Sequence, residues 1–261
     1  MIYVVKVGGN ALDNANLAHD AWQEFVADVA SILNDGDQVV IVHGAGPRIN
    51  HVAAAFDVTG TFIDGLRVTT PEMMAVVARA VGHVTADVTS ALNADTSICA
   101  LGLTGASVIT GHSVGEQWGQ VAGDLTVDAS ALRSLLESGF TPVVSCVVSD
   151  GTGGLLNANA DHVAGAIAAT LRADVLIQMT DVAQLRTNPD DPNTALSQVS
   201  VSKVDEMIGR GDIREGMIPK MQAAAVAVRH GAQCVVMASG LEAGALGRAR
   251  RREGLYTEVM A

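Results

Sequence analysis

The chain has 261 residues, of which 49% are hydrophobic and 17% charged, so it can bury a large core and has no signature of disorder. Its formal net charge of −12 disfavours a protein that binds a nucleic-acid backbone, because that function needs a basic surface. The three cysteines are widely spaced, which argues against a disulfide framework and favours free thiols in a reducing compartment.

Short β-branched runs alternate with longer segments of helical periodicity along the chain. The strand-like runs are residues 2–7, 39–42, 98–101, 143–148, 175–179 and 234–237. The helical segments include residues 17–33, 72–92, 160–171 and 217–230. This alternation predicts an α/β fold, a three-layer αβα sandwich with a central, mostly parallel sheet. A boundary near residue 172 would divide it into an N-terminal lobe, 1–172, and a C-terminal lobe, 173–261.

Glycine-rich turns follow the first two predicted strands. Lys6 lies near the end of a strand that looks buried, and Gly8 and Gly9 follow it. A buried ammonium needs an anionic partner, which a phosphate would provide; a solvent-facing position in the strand is the alternative. The second turn, residues 43–50, places small residues before a helix N-terminus, where an anion can approach the backbone. It lacks the Gly-Lys-Ser/Thr of a Walker loop, and an ordinary tight turn is the alternative.

Two further motifs place polar side chains next to helix starts. Arg67 lies in a turn before a long helix, and arginine suits bidentate recognition of a carboxylate, with a surface salt bridge as the alternative. Asn157, Asn159 and Asp161 surround the start of the helix predicted over 160–171. Asn159 is a suitable N-cap, but the three polar residues together exceed what a cap requires.

A second lysine completes the set of candidate charged residues. Lys220 lies near the start of an alanine-rich helix, where a lysine is usually solvated. Together with Lys6 it would provide a pair of cations for the charge on a transferring phosphoryl group. The seven histidines have no local metal-ligand spacing, and neither a nucleophile-elbow serine nor a Cys-x-x-Cys motif is present. We therefore expect no metal held by the protein alone.

Taken in order, these motifs resemble those of the amino acid kinase family, and within it the acetylglutamate kinases, from the first strand to about residue 240. The matching stretches are residues 6–9, 43–47, 64–69, 157–161, 180–182 and 216–220. The resemblance implies ATP-dependent phosphorylation of the side-chain carboxylate of N-acetyl-L-glutamate to an acyl phosphate, the second step of arginine and ornithine biosynthesis. It also implies Mg²⁺ bound with the nucleotide.

The resemblance implies roles for individual residues as well. Lys6 and Lys220 would stabilise the transferring phosphoryl group, and Asp161 would hold both lysines in place. The implied residues on the acyl amino acid side are Gly44, Ala45, Arg67, Asn157 and Asn159. The implied ATP-binding residues are Gly8, Gly9, Thr180, Asp181, Asp212, Ile213, Arg214 and Met217. An ionised carboxylate nucleophile needs no general base, and no residue matches one.

Several positions depart from the family pattern. Ala45, Ala122 and Ala183 each stand where the family usually has glycine, and residues 256–259 lack the usual Gly-Thr ending. The departures keep two alternatives open. One is a sister amino acid kinase that acts on another carboxylate, including an amino acid linked to a carrier protein. The other is a ligand sensor without activity, against which the three retained charged residues argue.

The start of the chain leads to expectations about assembly and location. Family members inhibited by arginine carry an extra N-terminal helix that builds hexamers, whereas the first strand pattern here starts at Ile2. We therefore expect an arginine-insensitive homodimer. No stretch approaches the about 20 apolar residues of a membrane-spanning helix, and no charged signal-peptide region precedes the first strand. A cytoplasmic protein with a small-molecule substrate, and no nucleic-acid or membrane partner, is expected.

Overall fold

The computed structural model of the chain describes residues 1–12, 20–181, 184–188, 190–213, 217–240 and 242–261. Within them the strands are β1 (Ile2–Val7), β2 (Gln38–His43), β3 (Phe62–Ile63), β4 (Leu66–Arg67), β5 (Ala100–Leu103), β6 (Ile109–Ser113), β7 (Ala122–Val127), β8 (Thr141–Val144), β9 (Val147–Ser149), β10 (Leu155–Asn157), β11 (Val175–Thr180), β12 (Leu185–Arg186), β13 (Ala195–Leu196), β14 (Gln198–Ser200), β15 (Cys234–Ser239) and β16 (Tyr256–Met260). The helices are α1 (Asp20–Asn34), α2 (Gly46–Ala55), α3 (Pro71–Leu92), α4 (Ala129–Glu137), α5 (Ala160–Leu171), α6 (Val201–Arg210), α7 (Ile218–Arg229) and α8 (Ala245–Arg251).

An eight-stranded sheet in the order β14-β16-β15-β11-β1-β2-β8-β5 forms the centre of the fold. Every neighbouring pair is parallel except β15 and β16. Helices α4, α5 and α7 cover one face, and α1, α3 and α8 cover the other. The predicted three-layer sandwich with a mostly parallel central sheet is therefore confirmed.

The central strands are buried on both faces, which explains their composition. From the second residue of β1 and β2 onward, and throughout β11, every position is buried. Each fully buried valine, leucine or isoleucine side chain contributes about 1.5–3 kcal/mol to folding. Two polar side chains interrupt the apolar pattern in adjacent strands, Lys6 in β1 and Gln178 in β11, and the two are in register.

The structure corrects one predicted strand. The run 143–148 is divided between β8, in the central sheet, and β9, in a four-stranded sheet of order β10-β9-β6-β7. The chain leaves the central sheet at Ser145 and Cys146, where the Ser145 hydroxyl accepts a hydrogen bond from the backbone of Gly105. The predicted strand 98–101 begins at Ala100 instead, while the helix predicted over 160–171 coincides with α5. Residues 17–19 of the first predicted helix lie outside the described residues.

Candidate active site

The carboxyl ends of three neighbouring strands, β11, β1 and β2, meet at one edge of the central sheet. Gly8 and Gly9 follow β1, Gly44 and Ala45 follow β2, and β11 ends at Thr180. In an open α/β sheet, ligands bind beyond the carboxyl ends of the strands. The structure thus brings together loops that the sequence places far apart.

The two glycine-rich turns contact each other through their backbones. A Cβ atom on Gly9 would lie 2.8 Å from the backbone nitrogen of Gly46, and one on Gly44 would lie 3.1 Å from the backbone nitrogen of Gly9. The Gly44 N–H donates to the Val7 carbonyl at 3.0 Å, which ties the second turn to β1. Glycine is required here because side chains would separate the turns.

Ala45 occupies the N-cap position of α2 without backbone strain. Its φ of −147° lies in the range available to any L-residue, and its methyl group is buried in the core. No described side chain caps the first turn of α2, so its N–H groups face the edge where the strands end. A helix N-terminus of this kind favours an anion. The replacement of the family's usual glycine is therefore accommodated by the backbone.

An ion cluster lies beside these turns, with Lys6 and Asp161 buried and Lys220 partly exposed. Lys6 Nζ is 2.9 Å from Asp161 Oδ1, and Lys220 Nζ is 3.4 Å from Asp161 Oδ2. Burial of the Asp161 carboxyl would raise its pKa, but the two ammonium groups outweigh this effect and lower the pKa below its ordinary value. The negative charge of the Asp161 carboxylate neutralises the positive charge of only one of the two lysines. The cluster therefore has one excess positive charge, in a place where uncompensated charge is costly.

Helix starts position two members of this cluster. Asp161 lies in the first turn of α5, whose N-cap Asn159 accepts a hydrogen bond from the Asp161 N–H at 2.8 Å. Lys220 lies in the first turn of α7. The two helices pack against each other at Gly165, where a Cβ atom would lie at van der Waals distance, 3.4 Å, from the Ala223 carbonyl of α7. Both helix N-termini therefore add positive potential near the excess charge.

On the other side of the turns, contacts with Asn50 and Phe62 fix the orientation of the Arg67 guanidinium. Its Nη2 donates to Asn50 Oδ1 at 2.7 Å, and its guanidinium lies 4.7 Å from the centre of the Phe62 ring. Gly60 leaves room for it, since a Cβ atom there would lie 2.8 Å from Nη1. Partial burial lowers the pKa of Arg67 through desolvation. Among the described side chains, no carboxylate pairs with Arg67, so the surface salt-bridge alternative finds no support.

A hydrogen-bonded chain links Asn157 to Arg67. Asn157 Nδ2 donates to Thr69 Oγ1 at 3.1 Å, and the Thr69 hydroxyl donates to the Arg67 carbonyl at 2.8 Å. The motifs around residues 67 and 157 therefore belong to one polar surface. Sequence reasoning assigned no role to Asn50 or Thr69. The sequence offered one indication of a role for them, since Asn50 lies in the stretch 43–50 and Thr69 in the stretch 64–69.

The residues expected to bind ATP are only partly brought together. Thr180 is buried at the end of β11, and Asp181 accepts a hydrogen bond from Asn10 Nδ2 at 2.9 Å. Met217 is the N-cap of α7, next to Lys220.

The remaining expected nucleotide residues have other contacts or lie outside the description. Asp212 pairs with Arg210 at 3.3 Å, and Ile213 is buried in the core. Among the contacts of the described residues, none joins either of them to the ion cluster. Arg214, like Val182 and Ala183, lies outside the described residues. Their assignment to the nucleotide stays a prediction.

His43 supports the second turn from the opposite face of the sheet. Its ring is buried, with Nε2 2.9 Å from Thr85 Oγ1 and Nδ1 3.3 Å from the Gly44 carbonyl. Desolvation lowers the pKa of His43 to about 4, with partial opposition from the Gly44 contact, so the ring is neutral at pH 7. These contacts give His43 a structural role beneath the second turn.

Two features are absent from the described part of the chain. No group of three or more histidine, cysteine, aspartate or glutamate side chains there is placed to hold a metal ion. Among the same residues, no helix is long and apolar enough to cross a membrane.

Comparisons with known proteins give a consistent result. A model of the amino acid kinase family matches residues 1–238. An acetylglutamate kinase from Deinococcus radiodurans is 37% identical over 252 residues, which cover 96% of this chain and 97% of the relative. The protein smu.665 from Streptococcus mutans has a TM-score of 0.81 at 28% identity, with 100% of this chain and 98% of that chain covered. An N-acetylglutamate synthase from Neisseria gonorrhoeae reaches a TM-score of 0.85 at 21% identity, and this chain spans 59% of its length.

Proposed function

The chain belongs to the amino acid kinase family, as its motifs predicted, and we propose that it transfers the γ-phosphoryl group of ATP to the side-chain carboxylate of N-acetyl-L-glutamate. The observation that carries this proposal is the partly buried cluster of Lys6, Asp161 and Lys220, whose excess positive charge calls for an anion. The similarity to an acetylglutamate kinase extends over nearly the whole length of both chains and selects the acceptor. The product is an acyl phosphate of arginine biosynthesis.

The reaction requires positioning and charge stabilisation rather than proton transfer. A carboxylate oxygen of the substrate forms a bond to the γ-phosphorus, while the bond from that phosphorus to the oxygen shared with the β-phosphate breaks and ADP leaves. Lys6 and Lys220 stabilise the negative charge on the transferring group. Asp161 pairs with both ammonium groups and so holds them close to each other. The substrate carboxylate is ionised at pH 7, so no general base is needed.

The acyl amino acid would lie between Arg67 and the glycine-rich turns. The guanidinium pairs with the α-carboxylate of the substrate, because Asn50 and Phe62 fix its plane and no described carboxylate competes for it. Asn157 and Asn159 lie on the same side and offer amide groups to the substrate. The backbone N–H groups of the second turn, near Gly44 and Ala45, face the transferring phosphoryl group.

The nucleotide would lie at the ends of β11 and β15 and the start of α7. Gly8, Gly9, Thr180, Asp181 and Met217 border this region in the structure. The excess positive charge of the ion cluster suits the phosphates of ATP. Mg²⁺ would be held mainly by phosphate oxygens and water, as is usual for this ion with nucleotides, and it would offset their charge. Asp212, Ile213 and Arg214 complete the proposed nucleotide lobe.

The proposal assigns the two ligands to different parts of the chain. Residues 1–172 supply β5, β8, β2 and β1 and bind the acyl amino acid, whereas residues 173–261 supply β11, β15, β16 and β14 and bind ATP. Strand β5 is the outermost strand of the sheet in the N-terminal lobe, which gives a second copy an edge to pack against. We place the enzyme in the cytoplasm as a homodimer.

The test is ATP-dependent acyl-phosphate formation, trapped as a hydroxamate. Acetylglutamate is compared with glutamate, aspartate and aminoadipate derivatives, including a carrier-linked amino acid. Activity with acetylglutamate and at most traces with the others is the expected result. Activity with a different acceptor would move the protein to a sister kinase function. Absence of activity with every acceptor would contradict the proposal and favour a ligand sensor.

A further inference from the structure

Gln178 is a buried polar residue for which the structure so far gives no purpose. It lies inside β11 and is 1% exposed. Within the described chain, neither its amide nitrogen nor its amide oxygen has a hydrogen-bond partner. A buried amide that lacks partners destabilises the folded protein, so its retention in the middle of a central strand calls for a ligand that satisfies it.

The position of Gln178 relative to the ion cluster identifies that ligand. Its register partner in the adjacent parallel strand is Lys6. Residues in register on adjacent strands point to the same face, and neighbouring strands lie about 4.8 Å apart. Lys6 extends toward Asp161 on α5, so Gln178 faces the same layer between sheet and helices. A group that Lys6 holds therefore lies within reach of the Gln178 amide.

Thr180 provides a second observation of the same kind. It lies two residues after Gln178, on the same face of β11, and is 4% exposed. Its hydroxyl also has no hydrogen-bond partner in the described residues. Two buried polar side chains without partners thus form a row that leads from the level of Lys6 to the end of the strand. The row ends at the turn that carries Asp181.

We propose that Gln178 is a further nucleotide-contacting residue. Its Nε2–H donates to a phosphate oxygen of ATP held by Lys6 and Lys220, and its Oε1 accepts from the Lys6 ammonium, which has three protons to donate. The Thr180 hydroxyl contacts the same polyphosphate nearer the strand end. This inference rests on the proposed function for the identity of the ligand, but the amide contact itself is tested by nucleotide binding.

The experiment compares Gln178→Met with the wild type and with Leu176→Met. Methionine keeps the length of glutamine and removes both hydrogen-bonding groups. Leu176 lies two residues earlier on the same face of β11 and is fully buried, so its replacement reports packing alone. The measurements are the affinity for a non-hydrolysable ATP analogue, the affinity for acetylglutamate, and the melting temperature with and without the analogue.

Gln178→Met is expected to weaken binding of the analogue about tenfold, the effect of one hydrogen bond to a charged group. Its affinity for acetylglutamate should stay at the wild-type value, and Leu176→Met should bind the analogue normally. The melting temperature of unliganded Gln178→Met should equal or exceed that of the wild type, because an unsatisfied amide is gone. The increase in melting temperature caused by the analogue should be smaller.

Wild-type affinity of Gln178→Met for the analogue would overturn the inference and leave the amide as the partner of an internal water. If Gln178→Met fails to fold, Gln178→Glu replaces it, and its added carboxylate is expected to weaken analogue binding by more than tenfold through repulsion of the phosphates. Unchanged binding by Gln178→Glu would also overturn the inference. Failure of the proposed function is distinguishable, because a wild type that binds the analogue but phosphorylates no acetylglutamate leaves the binding comparison intact.

Discussion

Arg67 and the ion cluster offer two kinds of positive charge to one substrate pair. The guanidinium is planar, partly desolvated and fixed by Asn50 and Phe62, a geometry that suits the flat carboxylate of the proposed substrate. The ammonium groups of Lys6 and Lys220 are compact and share a carboxylate, an arrangement that suits the charge of a phosphoryl group. In the proposed reaction, binding of the acyl amino acid and phosphoryl transfer therefore depend on different residues.

Substitution of Arg67 should separate these two contributions. Arg67→Lys keeps the charge but removes the bidentate fork and the stacking on Phe62. We expect the KM for acetylglutamate to rise about tenfold to a hundredfold, since each charge-assisted hydrogen bond contributes about 1.5–3 kcal/mol. The kcat should change much less. Steady-state kinetics with acetylglutamate varied at saturating ATP measure both.

Arg79→Lys is the matched control for that measurement. Arg79 also lies over a phenylalanine ring, Phe56, at 5.4 Å, but on the exposed surface of α3. Its replacement should leave the KM for acetylglutamate unchanged. An Arg67→Lys enzyme with the wild-type KM would show that Arg67 does not bind the substrate.

At the scale of elements, the turn after β1 and the turn after β2 act as one backbone surface. Gly9 is the point of closest approach, and its neighbours there are two backbone nitrogens and the ring of Pro47, none of which can rotate away. The glycine pair therefore matters for shape more than for flexibility. The N-terminus of α2 is kept open at the same surface.

Gly9→Ala should displace one turn from the other. The added Cβ atom would lie 2.8 Å from the Gly46 backbone nitrogen, so the turns must separate. A displacement of about 1 Å in a positioning element can reduce turnover about 10²-fold. Gly209→Ala in α6 is the control, because a Cβ atom there meets nothing within 4 Å and should leave kcat unchanged. Wild-type turnover in Gly9→Ala would contradict the close contact of the turns.

Strongly periodic elements could be predicted from the sequence, but the point where the chain passes from the central sheet into the four-stranded sheet could not. β1, β2, β11 and α5 have clear apolar patterns, whereas the run 143–148 is apolar on both sides of the point where it leaves the central sheet. That point is set by Gly105, where a Cβ atom would lie 2.5 Å from the Ser145 carbonyl and 2.7 Å from the Val147 carbonyl. A contact across about 40 residues leaves no local signal in the sequence.

The same limit applies to the candidate site. Lys6, Asp161 and Lys220 were predictable, because charge inside an apolar segment is visible in the sequence. The partnership of Arg67 with Asn50 was not, since it depends on how α2 packs beside the turn. Gln178 was not predicted as a site residue, because one neutral amide hardly interrupts an apolar run.

At the scale of the whole molecule, His43 makes folding stability depend on pH. Its pKa is about 4 in the folded protein and about 6.5 when unfolded, so the unfolded state binds more protons between these values. Stability is therefore complete above about pH 6.5 and falls as the pH decreases toward 4. The loss from this residue between pH 7 and pH 4 should be about 3 kcal/mol.

His43→Gln should reduce that pH dependence. Denaturant unfolding at pH 7 and at pH 4.5 gives the free energy of unfolding for the wild type, for His43→Gln and for a control, His51→Gln, at an exposed histidine. We expect the decrease between the two pH values to be about 2–3 kcal/mol smaller in His43→Gln than in the other two proteins. Equal decreases in all three would contradict a buried, neutral His43.

Charged residues from both proposed lobes converge on one carboxylate, that of Asp161. Asp161 and Lys6 come from the N-terminal part of the sheet and its helices, and Lys220 comes from the C-terminal part. Phosphoryl transfer in this account requires both ammonium groups at once. Loss of Lys220 should therefore slow phosphoryl transfer strongly without weakening the binding of the acyl amino acid, whose proposed contacts are Arg67 and Asn157.

The most direct test is the turnover of Lys220→Ala, measured as hydroxamate with ATP and acetylglutamate, together with its calorimetric affinity for acetylglutamate. Lys203→Ala serves as the control, since that lysine pairs with Glu206 on the surface of α6. We predict a decrease in kcat of about 10²–10³-fold for Lys220→Ala, the usual cost of one group that stabilises transition-state charge, with acetylglutamate affinity unchanged. Wild-type turnover in Lys220→Ala would contradict the assignment of the ion cluster to phosphoryl transfer.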